Sequence, residues 1–373
     1  MRVSGRILFV TDTLGYGGAE KQMVFAAEGL LSRGWDVAIL NLSQDKSAGE
    51  NRTIDKRIML FVTDIPYHNV FQSNYCLLKY TAAIARKYKP NIIVGFNEIA
   101  NFCVSVVGKI CDTPSIISER GDPFISFKNA RLPRRVKLWC INKSTGAIFQ
   151  TRQASEYYNK QLRENSIVIP NPVFVNRPLP CINYDNLPKT VVSLGRLDNK
   201  QKRLDIMLDA FSLFHDKHPE YKLKIYGNGP DEIQVKNWVS EKGLSDCVIL
   251  LGVSNDSLGD LSREGIFLIT SDYEGISNAL LEAMACGLPV VSTDHTPGGA
   301  RLLIRDKENG LLAPVRDVNA ISNALSLFAE DSALRTKCGN NAKKVLSDYS
   351  PERILDLWEG YVSKLIEEKK KSF

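Results

Sequence analysis

Two glutamates stand in the stretch SDYEGISNALLEAMACGLPVVS, Ser271 to Ser292, with Glu274 just before an expected helix and Glu282 inside it. Ser277 is a natural helix N-cap, and Gly287 with Pro289 closes the helix. The apolar run Ile266–Thr270 reads as a strand ending directly before this loop, so Glu274 belongs to a strand's carboxyl end. The backbone amides of Gly275, Ile276, Ser277 and Asn278 then face outward as a nest for a phosphate. Glu282 falls on an otherwise apolar helix, where a carboxylate is costly unless it is paired or reaches a polar ligand. Vicinal sugar hydroxyls suit it, because an ionised carboxylate accepts two hydrogen bonds at once. The plain alternative is an exposed helix glutamate.

Three further loops have types and spacings fit for chemistry. In SLGRLDNKQKRLDIMLDAF, Arg196, Lys200, Lys202 and Arg203 lie between strand Val191–Leu194 and a helix from Leu204. Cations beyond a strand's carboxyl end can clamp phosphate oxygens, the alternative being a charged surface loop. In KIYGNGPDEI, Gly227 and Gly229 follow strand Lys222–Tyr226 and leave room for a flat ring or a sugar, or else form a simple turn. In TDTLGYGGAEKQ, Gly15, Tyr16, Gly17 and Gly18 follow the first strand and open a helix whose free amides attract an anion. This loop lacks the third glycine of the dinucleotide fingerprint, and a tight turn explains it equally well.

The elements that must position these loops alternate along the whole chain. Strands are expected at Arg6–Thr11, Trp35–Asn41, Ile58–Thr63, Asn91–Gly95, Ser115–Glu119, Ala147–Gln150 and Ile167–Ile169, with helices that include Arg152–Gln161. After a proline-rich pause the series resumes with the strands above and with Val248–Leu250 and Pro289–Ser292, among helices that include Ser332–Leu346. Buried strands with intervening helices make an α/β protein of parallel sheets covered on both faces. At 373 residues, two domains are expected: 1–170, then a linker at 171–190, then 191–350, with a C-terminal helix at 351–369 returning to the first.

Composition narrows the classes. With 44% hydrophobic and 24% charged residues, and no long uncharged apolar run, a globular protein without a transmembrane helix is expected. The N-terminal apolar run is too short for a signal-peptide core. The eight cysteines form no metal-ligand spacing and read as reduced core thiols of a cytosolic protein. Residues 1–170 hold 23 Lys/Arg against 14 Asp/Glu, and seven of the cations lie between Pro123 and Ser155 without one acid. That imbalance points the first domain at something anionic, or is simply a solvated basic face. No aromatic stacking platform accompanies the cations, so nucleic acid is not an expected partner.

Taken in order, these loops resemble retaining glycosyltransferase family 4, nucleotide-sugar enzymes of GT-B fold: two doubly wound Rossmann-like domains facing each other across a cleft. The resemblance is strongest from Ser193 to Pro314, through SLGRL, YGNGP, EGISNALLEAMACGLPVVST and ENGLLAP. It implies that the second domain binds a nucleotide sugar, a UDP-sugar above all. Glu274 would then hold the transferred sugar, Glu282 the ribose, and Arg196 and Lys202 the diphosphate, with amides from Gly275 to Ser277. Gly227 and Gly229 would line the donor site, and Gly17 and Gly18 would approach it from the first domain. No metal or other cofactor is implied, since two cations and a helix start can stabilise the leaving group. The acceptor implied is a saccharide, lipid-diphosphate-linked in relatives with this layout.

Several residues depart from the family pattern. One extra residue separates Arg196 from Lys202, and Leu302 stands where relatives often have a glutamate. Where relatives carry a first-domain histidine, SIISERGDPF offers Glu119, Arg120 and Asp122, which become acceptor or cleft candidates. His295 reads as a loop histidine or a donor-site neighbour. The stretch KNARLPRRVKLWCINK mixes Arg134, Arg135 and Lys137 with Val136 and Trp139, as a helix lying on an anionic membrane surface would. The expected location is therefore cytoplasmic, at the inner membrane face. A nucleotide-sugar hydrolase or epimerase and a non-catalytic two-lobed binder are the competing readings.

Overall fold

The computed structural model describes residues 5–15, 17–43, 54–63, 70–127 and 132–371. It divides into two compact units, Met1–Asn171 with Glu352–Phe373, and Pro172–Pro351. Each is a parallel sheet among helices.

In the first unit the strands are β1 Arg6–Thr11, β2 Asp36–Asn41, β3 Met59–Val62, β4 Ile92–Phe96, β5 Ser115–Glu119, β6 Gly146–Phe149 and β7 Ser166–Val168. Their order is β3-β2-β1-β4-β5-β6-β7, so the winding reverses between β1 and β4. Ile7, Leu8, Phe9 and Val10 are all sealed from solvent, as expected of a strand covered on both faces. The chain's last helix, Pro351–Lys371, joins this core with Ile354, Trp358, Tyr361, Val362 and Leu365, one apolar stripe at helical spacing. Trp358 stacks on Phe96 with ring centroids 5.9 Å apart and lies 6.2 Å from Phe9. The Tyr361 hydroxyl accepts from the Ala147 amide at 3.0 Å and donates to the Asn165 carbonyl. A Cβ at Gly146 would stand 2.3 Å from that hydroxyl, so the close approach requires glycine. Arg33 clasps Asp356 and Glu359 at 2.7 and 2.9 Å.

The second unit contains β8 Thr190–Leu194, β9 Lys222–Tyr226, β10 Val248–Gly252, β11 Ile266–Ile269, β12 Val290–Thr293 and β13 Leu311–Ala313. The order β10-β9-β8-β11-β12-β13 again reverses the winding, here between β8 and β11. The stretch read as a linker is mostly part of this unit. Tyr184 is buried, donating to the Gly287 carbonyl at 2.9 Å, and its own carbonyl accepts from Arg335 at 3.0 Å. Its prolines interrupt periodicity without detaching the segment from the core. Strand β13 was not anticipated, since three residues carry too little pattern. The expected helix Arg152–Gln161 is two pieces, Arg152–Ser155 and Lys160–Glu164, because Asn159 caps the second through the Leu162 amide at 2.8 Å. Ser332–Leu346 likewise separates into Ser332–Ala342 and Val345–Asp348.

Trp358→Ala is expected to lower the unfolding free energy by about 3–5 kcal/mol in urea denaturation, as for other buried aromatics. An unchanged midpoint would show that the C-terminal helix is not integral to the first core.

Candidate functional site

The reversal between β8 and β11 opens a crevice at the strand ends, and the loops leaving these two strands carry the cations and the first glutamate. After β8 the chain turns through a short helix, Asn199–Lys202, and Arg203 takes a left-handed conformation with φ 51° before helix Leu204–His215. After β11 it runs through Thr270 to Glu274. The two loops are sewn together. The Thr270 hydroxyl donates to the Lys202 carbonyl at 2.8 Å, the Asp272 amide to the Gln201 carbonyl at 2.9 Å, and the Gln201 side chain to the Tyr273 carbonyl at 3.1 Å. Asp272 also accepts from Arg203 at 3.2 Å and from Arg316 at 2.6 Å, which anchors the left-handed residue.

This framework brings Lys202 and Glu274 into contact. Lys202 Nζ donates to both Glu274 oxygens, at 2.8 and 2.7 Å, and Ser271 Oγ donates to Oε2 at 3.1 Å. Both side chains are mostly buried, 13% and 17% exposed. Burial alone would lift the Glu274 carboxyl, but Lys202, His295 and the hydrogen bonds outweigh it and hold the group below the ordinary carboxylate value. His295, at the end of β12, is 1% exposed, and its Nε2 has no hydrogen-bond partner. Burial holds its imidazole below the ordinary value, against the pull of Glu274.

Helix Asn278–Cys286 begins as expected, with the Ser277 hydroxyl accepting from the Leu280 amide at 3.4 Å and Gly287 closing it at φ 82°. Gly275 and Ile276 lie buried against the next loop, where a Cβ at Gly299 would stand 1.7 Å from the Gly275 carbonyl oxygen. Glu282 is half-buried and makes no hydrogen bond or ion pair among the described residues. Arg196 is not gathered with Lys202: its guanidinium is exposed and bonded to Asp198. Gly227 and Gly229 serve packing rather than open space. A Cβ at Gly227, where φ is 134°, would lie 1.8 Å from the Gly195 carbonyl oxygen, and one at Gly229 would lie 2.4 Å from that of Leu197. They seat the Arg196 loop, beside a small cavity lined by Gly195, Arg196, Lys202 and Thr270.

The first-unit candidates are largely engaged by their own chain. Gly17 is the N-cap residue of helix Gly18–Ser32 and both glycines are exposed, while the Gly15 amide donates to Thr13 Oγ1 at 3.2 Å. Tyr16 lies outside the described residues, as do Lys128 and Arg131. Glu119 accepts from Tyr158 at 2.8 Å and from the Gly121 amide at 3.0 Å, and burial raises its carboxyl. Asp122 caps the turn Pro123–Ser126 through the Phe124 amide at 2.9 Å. Arg120 donates to Ser118 Oγ at 2.9 Å and lies 5.3 Å from the Phe96 ring and 5.7 Å from that of Trp358. Burial pulls it down to about 10. These three therefore brace the fold and do not converge as one acceptor-binding group.

Asp12, at the end of β1 beside the first reversal, was missed. Its oxygens accept from the Ile99 and Ala100 amides at 3.2 and 2.6 Å, capping helix Glu98–Ile110 across the sheet. The signal was present in its place directly after an apolar strand. The basic stretch is also partly self-paired. Arg134 grips Glu98 at 2.7 Å and Lys137 reaches it at 3.9 Å, leaving Arg135 and Lys143 exposed. The helix of this stretch runs Leu132–Ile141, with Pro133 in its first turn, where a missing amide hydrogen costs no helical bond. No His/Cys/Asp/Glu group suited to a metal occurs among the described residues, and none of their helices is long and apolar enough to cross a membrane.

Comparison with known proteins agrees with this architecture. Residues 183–345 match the family model described as glycosyl transferases group 1. An uncharacterized glycosyltransferase of Haemophilus influenzae is 24% identical over 94% of this chain and 98% of its own. A Campylobacter jejuni protein is also 24% identical, over 95% of this chain and 97% of its own. Its name is GalNAc-alpha-(1->4)-GalNAc-alpha-(1->3)-diNAcBac-PP-undecaprenol alpha-1,4-N-acetyl-D-galactosaminyltransferase. The solved structure of Anabaena HepE with UDP and glucose superposes with a TM-score of 0.79 at 19% identity, covering 96% of this chain and 99% of that one. The fold is GT-B. The family match thus lies in the second unit, while the full-length relatives named as glycosyltransferases extend the likeness over both.

Burial pushes the Asp12 carboxyl up to about 7, more than the two amides and Lys137 can offset. A raised carboxyl holds its proton in the folded chain where the unfolded chain has lost it. Stability therefore falls as pH rises from about 4 to about 7. Asp12→Asn, which keeps the capping oxygen, is expected to gain stability relative to the parent over that range in urea titrations. A pH-independent difference would remove Asp12 from this role.

Proposed function

We propose that this chain is a family 4 enzyme that transfers a sugar, with retention, from a nucleoside-diphosphate donor to a saccharide acceptor carried on a lipid diphosphate. A UDP-sugar is the donor first to be tried. The observation that carries the reading is the Lys202–Glu274 pair at the β8/β11 reversal, just before the start of helix Asn278–Cys286. Support for the donor comes from HepE, whose structure holds UDP and glucose. Support for the acceptor comes from the Campylobacter jejuni relative, whose name specifies a PP-undecaprenol saccharide.

In this reading Glu274 accepts hydroxyls of the transferred sugar, and the unpartnered Glu282 accepts those of the ribose. Lys202 engages the diphosphate, joined by Arg196 once it leaves its exposed pair with Asp198, which costs little. Amides of Gly275 to Ser277 complete the cradle. As the bond from the anomeric carbon to the diphosphate breaks, negative charge grows on the leaving oxygen, where fixed cations act most strongly. The acceptor hydroxyl attacks from the same face and passes its proton to that oxygen. No residue acts as nucleophile, and no metal has a part.

The first unit carries a surface suited to the acceptor's lipid. Val136 and Trp139 are 51% and 64% exposed on helix Leu132–Ile141, with Lys143 5.6 Å from the Trp139 ring. Phe124 and Ile125 add exposed apolar groups, and Phe124 meets Tyr157 at 5.1 Å. Exposed aromatics beside Arg135 and Lys143 match the interface of an anionic bilayer.

Glu274→Gln and Lys202→Ala are each expected to reduce sugar transfer by about 100-fold or more while far-ultraviolet dichroism stays native, and transfer by the parent should persist in excess EDTA. Near-normal turnover in either variant would sink the assignment. In sedimentation with phosphatidylglycerol vesicles, the triple change Arg135→Gln, Trp139→Ser, Lys143→Gln should release the protein into the supernatant. Unaltered pelleting would exclude this surface.

A further inference from the structure

His295 has a place at the site that its position in the sequence does not explain. It is sealed from solvent at the end of β12, and Nε2 has no partner. The neighbouring chain is the Glu274 loop: Tyr273 pairs with Thr296, and the Glu274 amide donates to the Thr296 carbonyl at 2.8 Å. Nδ1 lies 3.4 Å from that same carbonyl, so the ring is held beside the loop that bears the carboxylate. The charges that face it are Glu274 and Lys202 from the two neighbouring loops and Asp294 from its own. Asp294 is already gripped by Arg301, which leaves Glu274 as the uncommitted attraction once Lys202 is drawn elsewhere.

Lys202 spends its ammonium on both oxygens of Glu274. A diphosphate engaging the same Nζ competes for it, and a carboxylate left mostly buried without a cation is unfavourable. We infer that His295 is a positioning residue that becomes the second counter-charge of Glu274, binding one proton from solvent when Lys202 turns to the donor's diphosphate. The inference rests on the donor reading above. The one bond formed is N–H: a neutral imidazole takes a proton from solvent and becomes an imidazolium, and the buffer replaces that proton. Before the donor arrives, burial and the nearby Lys202 charge both disfavour the imidazolium, so the ring is neutral at neutral pH. Moving that charge onto a phosphate removes the repulsion and leaves the attraction of Glu274. Donor affinity then strengthens as pH falls toward the ordinary histidine range, and Glu274 keeps its position while Lys202 is engaged.

Titration calorimetry with UDP on the full chain, near pH 7.5 in PIPES and in Tris, tests this. The dependence of enthalpy on buffer should show proton uptake greater by up to about one proton in the parent than in His295→Asn. Protonation of UDP itself is common to both proteins and cancels. Equal uptake in the two proteins overturns the inference while leaving the donor reading intact. Absence of binding by either UDP or GDP to the parent would sink the donor reading and the inference with it. Should His295→Asn fail to fold, histidine resonances of the labelled parent decide the matter. One of the four should move to imidazolium shifts on saturation with UDP, and none moving overturns it.

Discussion

The contact between the Lys202 ammonium and the Glu274 carboxylate is the constraint around which the second unit is arranged. Two charges held mostly out of water contribute little net stability, because desolvation consumes the attraction. Their loops are therefore fixed by other means: Thr270 on the Lys202 carbonyl, Gln201 on Tyr273, and Asp272 on Arg203 and Arg316. The glycines serve the same end. Gly227 and Gly229 let one loop press on the β8 turn, and Gly299 lets another press on Gly275. A pair whose loops are held by this many other contacts can exchange partners without loss of the fold.

The first unit solves a different problem. Its strand-end polar groups, Asp12, Glu119 and Asp122, are engaged by backbone amides of neighbouring turns. Arg120 rests against Phe96 and Trp358, so the last helix of the chain helps enclose a cation at the end of β5. What this unit leaves outward is apolar and basic at once: Arg135, Val136 and Trp139 along one helix, with Lys143 just past its end. Exposed Trp139 beside cations is costly in water and favourable at a bilayer interface.

Much of this was legible beforehand because buried parallel strands are short unbroken apolar runs. Arg6–Thr11, Ser115–Glu119 and Lys222–Tyr226 have the bounds expected of them, and most others differ by a residue at one or both ends. Failures have local causes. Three residues of β13 carry no period, and Asn159 restarts a helix that its apolar spacing would have continued. Prolines between 170 and 190 hid the fact that Tyr184 is anchored under Gly287. Glu274 and Lys202 were singled out separately from their types and neighbours, and the structure brings them into contact and caps the helix with Ser277 as expected. Arg196 was read as a partner of Lys202, yet it turns to Asp198 two residues away, a local contact that spacing alone does not rank against a distant one.

Periodicity, capping residues and glycine placement are local properties, and from them the sequence by itself determined the alternating elements, the helix start at Ser277 and the chemistry available in each loop. Which loops meet depends on strand order, a non-local property. The placing of β8 against β11, with β9 and β10 wound to the other side, decided that Lys202 touches Glu274 and that His295 stands behind them. Their surroundings then set two of these groups: burial would lift Glu274, but Lys202 and the hydrogen bonds hold it below its ordinary value, while burial holds His295 below its own.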